Sequence, residues 1–317
     1  MATLAPPVTR GTTPRVTGAS GGHLMRKKRL FWPFVLPALA LYVIFLVLPT
    51  VATVVLSFTK WAGAGDTPAF NGFTQYSQMW ASDNFQSAFQ NTLLLLFVGG
   101  IGTFLLAFLF TMVLRDMRGG RLVRAILFFP NIVAPVAIGM FFGLMFMPDK
   151  RGLANFVLDK FGVEAVPFLA QGSIVWVVMG AIMWASAGFY ITILMAAVDR
   201  IPPYLYEDSD MAGASPWQKF WNVTLPMTWD VVGIAGVLWT INAIKIFELV
   251  FVLAGSGGYA PPPFSWTLGI YVFDRSVGAN GTPNFGAACA CAVMMILLVS
   301  VLVVLLRRLM RRDAIQF

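Results

Sequence analysis

Six long apolar runs are the feature that most constrains this chain of 317 residues. A helix needs about 20 mostly apolar residues to cross the hydrocarbon core of a bilayer. Six segments meet this requirement, at residues 31–58, 92–114, 125–147, 173–198, 231–254 and 285–306. The composition agrees, because 58% of the residues are hydrophobic and only 11% are charged, against about 25% charged in soluble domains. The sequence therefore predicts an all-α, polytopic membrane protein with six transmembrane helices.

Prolines modify two of these predicted spans. Pro37 and Pro49 lie in the first span, and Pro130 and Pro135 lie in the third. Because proline removes a helical hydrogen bond, we expect it to kink or shorten those helices. The first span follows the basic stretch RKKR but is much longer than the apolar region of a signal peptide, which has about 7–15 residues. We therefore expect an uncleaved first helix.

Lysine and arginine residues are distributed unevenly between the two sides of the predicted membrane domain. Sixteen lie in the N-terminal tail, after the second span, between residues 199 and 230, and after the last span, whereas the opposite loops hold five. Positively charged residues favour cytoplasmic loops, so both termini and the 199–230 connection are expected in the cytoplasm. Residues 1–30 are predicted to be a disordered cytoplasmic tail and residues 31–317 one transmembrane domain. The outer loops at 59–91 and 148–172 have room only for short helices.

Several classes of function are excluded by residues that the sequence lacks. The single histidine, His23, lies in the polar tail, and the chain has no Gly-x-x-x-x-Gly-Lys-Ser/Thr loop for nucleotide phosphates. Cys289 and Cys291 are two positions apart on a predicted helix and do not face each other, so neither a mutual disulfide nor a metal pair is expected. We predict no catalytic residue, no metal site and no cofactor bound by this chain. The net charge of +8 is explained by membrane topology rather than by nucleic-acid binding.

The stretch YEDSDMAGASPWQKFWNVTLP, residues 206–226, is polar and lies between two apolar runs. It contains residues that typically begin and end helices. Pro203 suits the first turn of a short helix, and Gly213 is a natural helix stop. Three acidic residues are expected early in that helix, where their negative charges interact favourably with the positive end of the helix dipole: Glu207, Asp208 and Asp210.

A second short helix is predicted directly after Gly213. Ser215 and Gln218 form a Ser-x-x-Gln capping box, and Pro216 fits the first helical position. Leu225-Pro226 is expected to end this helix, which carries an aromatic cluster of Trp217, Phe220 and Trp221. The result is a capped hairpin over residues 203–226. It could rest on lipid headgroups as an interfacial element, or it could be a docking element for a cytoplasmic partner.

This hairpin resembles the EAA loop of permease subunits in binding-protein-dependent ABC importers. Glu207 matches the glutamate of that motif, Gly213-Ala214 its Gly-Ala pair, and Leu225-Pro226 its hydrophobic-Pro ending. The sequence departs from the motif at Asp208 and Ser209, where alanines are usual, and at Ala212, where an aspartate is common. The resemblance implies a coupling helix that sits in a cleft of an ATPase subunit. The residues expected to couple are Glu207, Asp210, Gly213, Ala214, Trp217, Phe220, Leu225 and Pro226.

Other stretches resemble the sugar-type, maltose-type members of the same family. AIKIFELVFVLAGSGGY, residues 243–259, is similar to the end of their fifth span, and the first and last spans are similar too. The resemblance implies three kinds of partner besides the bacterial plasma membrane: a second homologous permease subunit, two ATPase subunits that carry ATP and Mg, and an extracytoplasmic solute-binding protein. It implies no nucleic-acid partner.

Ionisable groups inside a membrane span are costly and often mark function. Lys245 and Glu248 lie three positions apart in the predicted fifth span, so they share a helical face and can pair. They could merely neutralise each other, or they could line a translocation path together with Asn242 and Phe247. Further candidates on the fourth span combine aromatic faces and hydrogen-bonding groups suited to sugars, although such residues also serve as interface anchors: Trp184, Ser186 and Tyr190.

The sequence and the resemblance together predict a type I ABC importer permease subunit, which is not itself an enzyme. It would translocate a carbohydrate, a sugar or an oligosaccharide, delivered by the binding protein. The alternative is an ion-gradient-driven secondary transporter or channel subunit. The capped cytoplasmic hairpin discriminates between the two, because an ion-coupled carrier has no need of a docking element.

Overall fold

The structure is a computed structural model that describes residues 21–63, 65–115, 117–255, 261–279 and 281–310, with side chains from residue 32 onward. The chain divides into two compact units, residues 1–52 and 53–317. The first unit contains α1 (Gly21–Tyr42) and a π-helical turn (Val43–Val47), which continue into α2 (Leu48–Leu56). A continuous apolar helix, Trp32–Leu56, corresponds to the first predicted span.

The start of α1 differs from the expected disordered tail. Residues 21–30 are helical, because the apolar run and the basic stretch before it contain no helix breaker between Leu24 and Trp32. The rest of the predicted tail, residues 1–20, lies outside the described residues.

The second unit begins with the end of α2 and a small outer loop. Two short antiparallel strands, β1 (Thr59–Lys60) and β2 (Ala69–Phe70), precede α3 (Thr74–Trp80). The next helix is continuous over 33 residues, Asp83–Arg115. It consists of α4 (Asp83–Leu94), a π-helical turn (Leu95–Gly99) and α5 (Gly100–Arg115).

The third predicted span is sharply bent, as its prolines indicate. The helices α6 (Gly120–Ile132) and α7 (Pro135–Met145) meet at 92°. Ala134 precedes Pro135 and has extended backbone angles, φ −58° and ψ 136°, because proline disfavours helical geometry in the residue before it. The short outer helix α8 (Leu153–Lys160) and the long, straight α9 (Ile174–Val198) follow.

The hairpin and the fifth predicted span follow α9. The hairpin consists of α10 (Pro203–Met211), α11 (Pro216–Lys219), a π-helical turn (Phe220–Thr224) and α12 (Leu225–Met227). The chain then bends by 76° into α13 (Trp229–Ile244). After a break come α14 (Glu248–Ala254), a 3₁₀ turn (Pro263–Ser265), α15 (Leu268–Val277) and the last span α16 (Phe285–Met310).

The all-α membrane fold is confirmed. Within the described ranges, four helices are long and apolar enough to cross a membrane, and the number reaches six if each bent pair counts as one span. The predicted fifth span, 231–254, is wrong as a continuous helix, because it breaks after Ile244. The break is stabilised by a residue outside the predicted span, because the Thr267 hydroxyl donates to the Ile246 carbonyl at 2.9 Å.

Close helix packing places the broken helices against the rest of the second unit. At Gly188 on α9, an added Cβ would lie 1.9 Å from the Leu127 carbonyl oxygen on α6. At Gly139 on α7, it would lie 2.8 Å from the Leu249 carbonyl oxygen on α14. Glycine thus lets the backbones of α6 and α9, and of α7 and α14, approach as closely as small residues permit in membrane bundles.

Candidate functional site

The hairpin is built by local hydrogen bonds that the sequence specifies. The Ser215 hydroxyl accepts from the Gln218 backbone N–H at 3.3 Å, and the Ser215 N–H donates to the Gln218 side chain at 2.7 Å. Gly213 adopts a left-handed φ of +71°. Its N–H donates to the Asp210 carbonyl, and the Ala214 N–H donates to the Ser209 carbonyl, each at 3.0 Å. This pattern is a Schellman motif, so both the predicted turn and the predicted capping box are confirmed.

Two details of the hairpin differ from the sequence expectation. Glu207, Asp208 and Asp210 lie beyond the first turn of α10, which contains no acid, because Pro203 fixes the start and the helix has only nine residues. The second helix does not end at Leu225-Pro226 but runs to Met227. Pro226 lies in the first turn of α12, the helical position at which proline is best tolerated.

The inner face of the hairpin packs on α5. Phe220 is 5% exposed, and its ring meets that of Phe108 edge-on with centroids 5.5 Å apart. The buried Tyr206 lies under the Arg115 guanidinium, which is 3.1 Å from the ring centroid. The Tyr206 hydroxyl and the Thr224 hydroxyl are 3.0 Å apart and joined by a hydrogen bond. Phe220, expected among the coupling residues, is thus an anchor and is not available to a partner.

The exposed residues of the hairpin include both charged and aromatic side chains. Glu207 is exposed, and Trp217 and Trp221 are 60% and 49% exposed with ring centroids 5.5 Å apart. Met211, beside the turn, is 82% exposed. Among the other expected coupling residues, Asp210 forms an ion pair with Lys219, and Gly213 forms the turn. The last three expected coupling residues are half-buried: Ala214, Leu225 and Pro226.

A cavity of about 670 Å³ lies beside the breaks in the third and fifth predicted spans. It is lined by six of the seven predicted path residues: Ser186, Tyr190, Asn242, Lys245, Phe247 and Glu248. The Ser186 hydroxyl donates to the Ile182 carbonyl at 2.6 Å. Aromatic rings, side-chain amides and two charged side chains therefore line the same cavity.

The seventh predicted path residue, Trp184, lies outside the cavity lining. It is 46% exposed and packs against Phe142 and Phe141 of α7, with ring centroids 5.7 and 6.4 Å apart. Trp184 sits six positions before Tyr190 on a straight helix, so the two side chains face different directions. Packing is the role that the structure gives to Trp184.

Lys245 and Glu248 do not form the helical pair that their spacing predicted. Lys245 caps the end of α13 and Glu248 starts α14, so the chain between them is not helical. Both residues are described and exposed, and no ion pair joins them. The cavity thus holds one cationic and one anionic side chain that point into shared space without neutralising each other directly.

Sequence reasoning missed Asn131 and Trp239 in the cavity wall. Asn131 follows Pro130 at the bend of the third span, and an amide beside a proline in an apolar run is a signal that could have found it. Trp239 donates its Nε1–H to the Leu96 carbonyl at 2.8 Å. This bond lies between residues far apart in the chain, so no local pattern indicates it.

Comparison with known proteins gives several relatives, although no protein-family model matches the chain. The chain is 28% identical over 297 residues to the diacetylchitobiose uptake system permease protein NgcF of Streptomyces coelicolor, across 87% of this chain and 82% of that protein. It is 29% identical over 292 residues to the arabinooligosaccharides transport system permease protein AraP of Halalkalibacterium halodurans, across 87% and 90%.

Two solved structures have the same fold. One is a bacterial ABC transporter involved in the import of the acidic polysaccharide alginate, with a TM-score of 0.78 and 22% identity over 92% of this chain and 99% of that chain. The other is a bacterial alginate ABC transporter in complex with an alginate pentasaccharide-bound periplasmic protein, with a TM-score of 0.76 and 19% identity over 93% and 100%. The resemblance of this chain to sugar-type permease subunits of ABC importers is thereby confirmed, and the chain is a multi-pass membrane protein.

Proposed function

We propose that this chain is the permease subunit of an ATP-driven importer that carries a carbohydrate across the membrane. The observation that carries the proposal is the capped hairpin, which is anchored on α5 through Phe220 and leaves Glu207, Trp217 and Trp221 exposed. A rigid element with an unused polar and aromatic surface suits docking to a second protein.

The cavity supports a carbohydrate as the solute class. Sugar rings offer apolar faces edged by hydroxyl groups, and the cavity offers aromatic rings from Tyr190, Trp239 and Phe247 with amides from Asn131 and Asn242. The relatives named above include permeases for diacetylchitobiose and arabinooligosaccharides, which agrees with an oligosaccharide. The path in this subunit then runs past Lys245 and Glu248.

The proposed assembly contains this chain, a second homologous permease and two ATPase subunits that bind ATP and Mg. An extracytoplasmic binding protein delivers the solute, as the alginate transporter solved with its periplasmic protein suggests. The excess of basic residues on one side supports a bacterial plasma membrane topology with both termini and the hairpin in the cytoplasm. ATP hydrolysis belongs to the separate ATPase subunits.

The first test is the set of proteins that co-purify with the chain in mild detergent. The wild type should bring a second permease and an ATPase with a phosphate-binding loop, identified by mass spectrometry. Gly213→Pro should lose the ATPase, because proline cannot adopt the φ of +71° found at this turn. Gly213→Asn is the matched control, since asparagine tolerates the left-handed conformation, and it should retain the ATPase. A wild-type chain that purifies alone would favour the ion-gradient-driven carrier.

A second test addresses Glu207 directly. Glu207 is exposed and matches the glutamate of the EAA motif, so Glu207→Ala should uncouple ATP hydrolysis from solute uptake in membrane vesicles. Asp208→Ala is the control, because Asp208 is also exposed on α10 but matches no acidic position of the motif. Normal uptake per ATP in the Glu207 variant would exclude the proposed role.

A further inference from the structure

Both arms of the hairpin contact the same helix, α5; the first arm is α10, and the second arm runs from α11 to α12. On the first arm, Tyr206 lies under the Arg115 guanidinium at the cytoplasmic end of α5, 3.1 Å from ring centroid to Cζ. On the second arm, Phe220 packs edge-on against Phe108, two turns earlier on α5. Two contacts at different heights fix both the position and the tilt of the hairpin relative to α5.

The two arms are also tied to each other near these contacts. The Tyr206 hydroxyl on the first arm and the Thr224 hydroxyl on the second arm are joined by a hydrogen bond of 3.0 Å. Asp210 and Lys219 form an ion pair nearer the turn. The hairpin thus resists bending between its arms, whereas the covalent route to α13 passes through a 76° bend.

The segment directly before α5, in the interior of the same continuous helix Asp83–Arg115, reaches the cavity. The π-helical turn Leu95–Gly99 contains Leu95, which lines the cavity, and Leu96, whose carbonyl accepts from Trp239 at 2.8 Å. Phe104 of α5 contacts Tyr190, with ring centroids 5.2 Å apart, and Tyr190 contacts Trp239 at 5.9 Å. Single π-helical turns inside α-helices often occur at functional sites.

We propose that α5 is the lever that carries hairpin displacement to the cavity, with Arg115 and Tyr206 as positioning residues that clamp the hairpin to it. This inference rests on the proposed function and adds the route of transmission. Packed side chains can carry coupling between sites when they move as one body. This route makes a specific prediction, which is that the hairpin and α5 move together. Weakening the contact between Arg115 and Tyr206 should therefore uncouple transport from ATP hydrolysis while the ATPase remains bound.

The test measures solute imported per ATP hydrolysed by the intact importer in proteoliposomes, with co-purification of the ATPase as a second readout. Tyr206→Leu removes the ring beneath the guanidinium and should lower the transport-to-ATP ratio about fivefold or more. Tyr206→Phe keeps the ring and loses only the bond to Thr224, so it should retain most of the coupling. Arg115→Lys keeps the charge but loses the flat, stacking guanidinium, and should resemble Tyr206→Leu.

Arg118→Lys is the matched control, because Arg118 is exposed in the same connection. Wild-type coupling with Arg118→Lys and reduced coupling with Arg115→Lys supports the lever. Equal coupling in wild type, Tyr206→Leu and Arg115→Lys overturns it while leaving the proposed function intact. Failure of the proposed function would be visible separately, as a wild-type chain without an ATPase or without uptake.

A restoration experiment covers the case in which a loosened clamp simply destabilises the hairpin. Arg115→Cys/Tyr206→Cys should couple poorly, and a short reducible bifunctional thiol linker should restore coupling until reductant is added. The linker-treated chain with only the native Cys289 and Cys291 is the control. Coupling that stays low, or uptake that stops, after linking would mean that the hairpin moves relative to α5, and the lever would be wrong.

Discussion

The hairpin and the break between α13 and α14 both interrupt long apolar stretches, but different interactions stabilise them. The hairpin turn is fixed by residues within its own sequence, through the Ser215–Gln218 capping box and the left-handed Gly213. The break is fixed by distant residues: Thr267 donates to the Ile246 carbonyl, and a Cβ on Gly269 would lie 2.9 Å from the same oxygen. One element is specified locally and the other by tertiary packing.

This difference follows from how backbone groups are satisfied. A helix end must find partners for its free N–H and C=O groups, and the hairpin supplies them within a few residues. At residues 245–247 the sequence offers no proline or glycine, so the partners must come from the α14–α15 connection. Tertiary contacts near the break should therefore affect stability more than changes in the hairpin cap, which should act locally.

The largest effect is expected where α6 meets α9 behind the cavity. Gly188→Ala would bring Cβ to 1.9 Å from the Leu127 carbonyl oxygen and 2.8 Å from the Phe128 Cα, both of them backbone atoms. The helices must separate, so we expect a loss of about 3 kcal/mol or more, seen as a large drop in the unfolding temperature of the purified chain. Gly180→Ala on the same helix meets nothing within 4 Å and should be neutral or slightly stabilising. Similar behaviour of both variants would contradict the close helix approach.

A somewhat smaller effect is expected where α7 packs on α14. Gly139→Ala would place Cβ 2.8 Å from the Leu249 carbonyl oxygen and 3.1 Å from the Val252 Cβ, at a cost of about 2 kcal/mol. Gly143→Ala, one turn later, meets only the Leu253 carbonyl at 3.9 Å and should be tolerated. The pair is compared by thermal unfolding and by uptake, since displacement of α14 would also move Glu248. Because alanine has a higher helix propensity than glycine, a Gly143→Ala variant as unstable as Gly139→Ala would contradict the close approach of α7 and α14 at Gly139 as the cause.

The hairpin cap should have a moderate and local effect. Ser215→Ala removes the acceptor for the Gln218 N–H and should cost about 1 kcal/mol. Hydrogen exchange should rise at residues 215–219 while α5 and α9 remain protected. Ser209→Ala is the control, because the Ser209 hydroxyl only donates back to the Leu205 carbonyl, a bond that contributes little to helices. Exchange that spreads into α13 would show that the cap is coupled to the break after all.

The sequence was sufficient for features that depend on near neighbours or on composition. Apolar run length predicted where the membrane helices lie, Pro130 and Pro135 predicted the bend in the third span, and Ser215, Gln218 and Gly213 predicted the hairpin turn. The resemblance to a known family added the expected partners and site residues. Six of the seven predicted path residues line one cavity, although the sequence did not predict that cavity.

The features that sequence could not predict depend on residues far apart in the chain. Hydropathy treats 231–254 as one apolar run, so it cannot register the break after Ile244, and the predicted Lys245–Glu248 pair failed with it. The same limit explains Phe220, whose burial against Phe108 is set by the position of α5. An aromatic side chain on a short amphipathic helix looks the same in sequence whether it faces a partner or an anchor.

The smallest effect is expected for the ion pair across the hairpin, and it sharpens the contrast between local bonding and packing. Asp210 and Lys219 are 60% and 17% exposed, and a partly exposed pair typically contributes less than about 1 kcal/mol. A double-mutant cycle with Asp210→Asn and Lys219→Met, followed by thermal unfolding, should give a coupling energy below the cost of Ser215→Ala. Salt should weaken the coupling further, because exposed charges are screened. A coupling energy above that of the cap would mean that charge, rather than the capping box and the Gly213 turn, holds the two arms together.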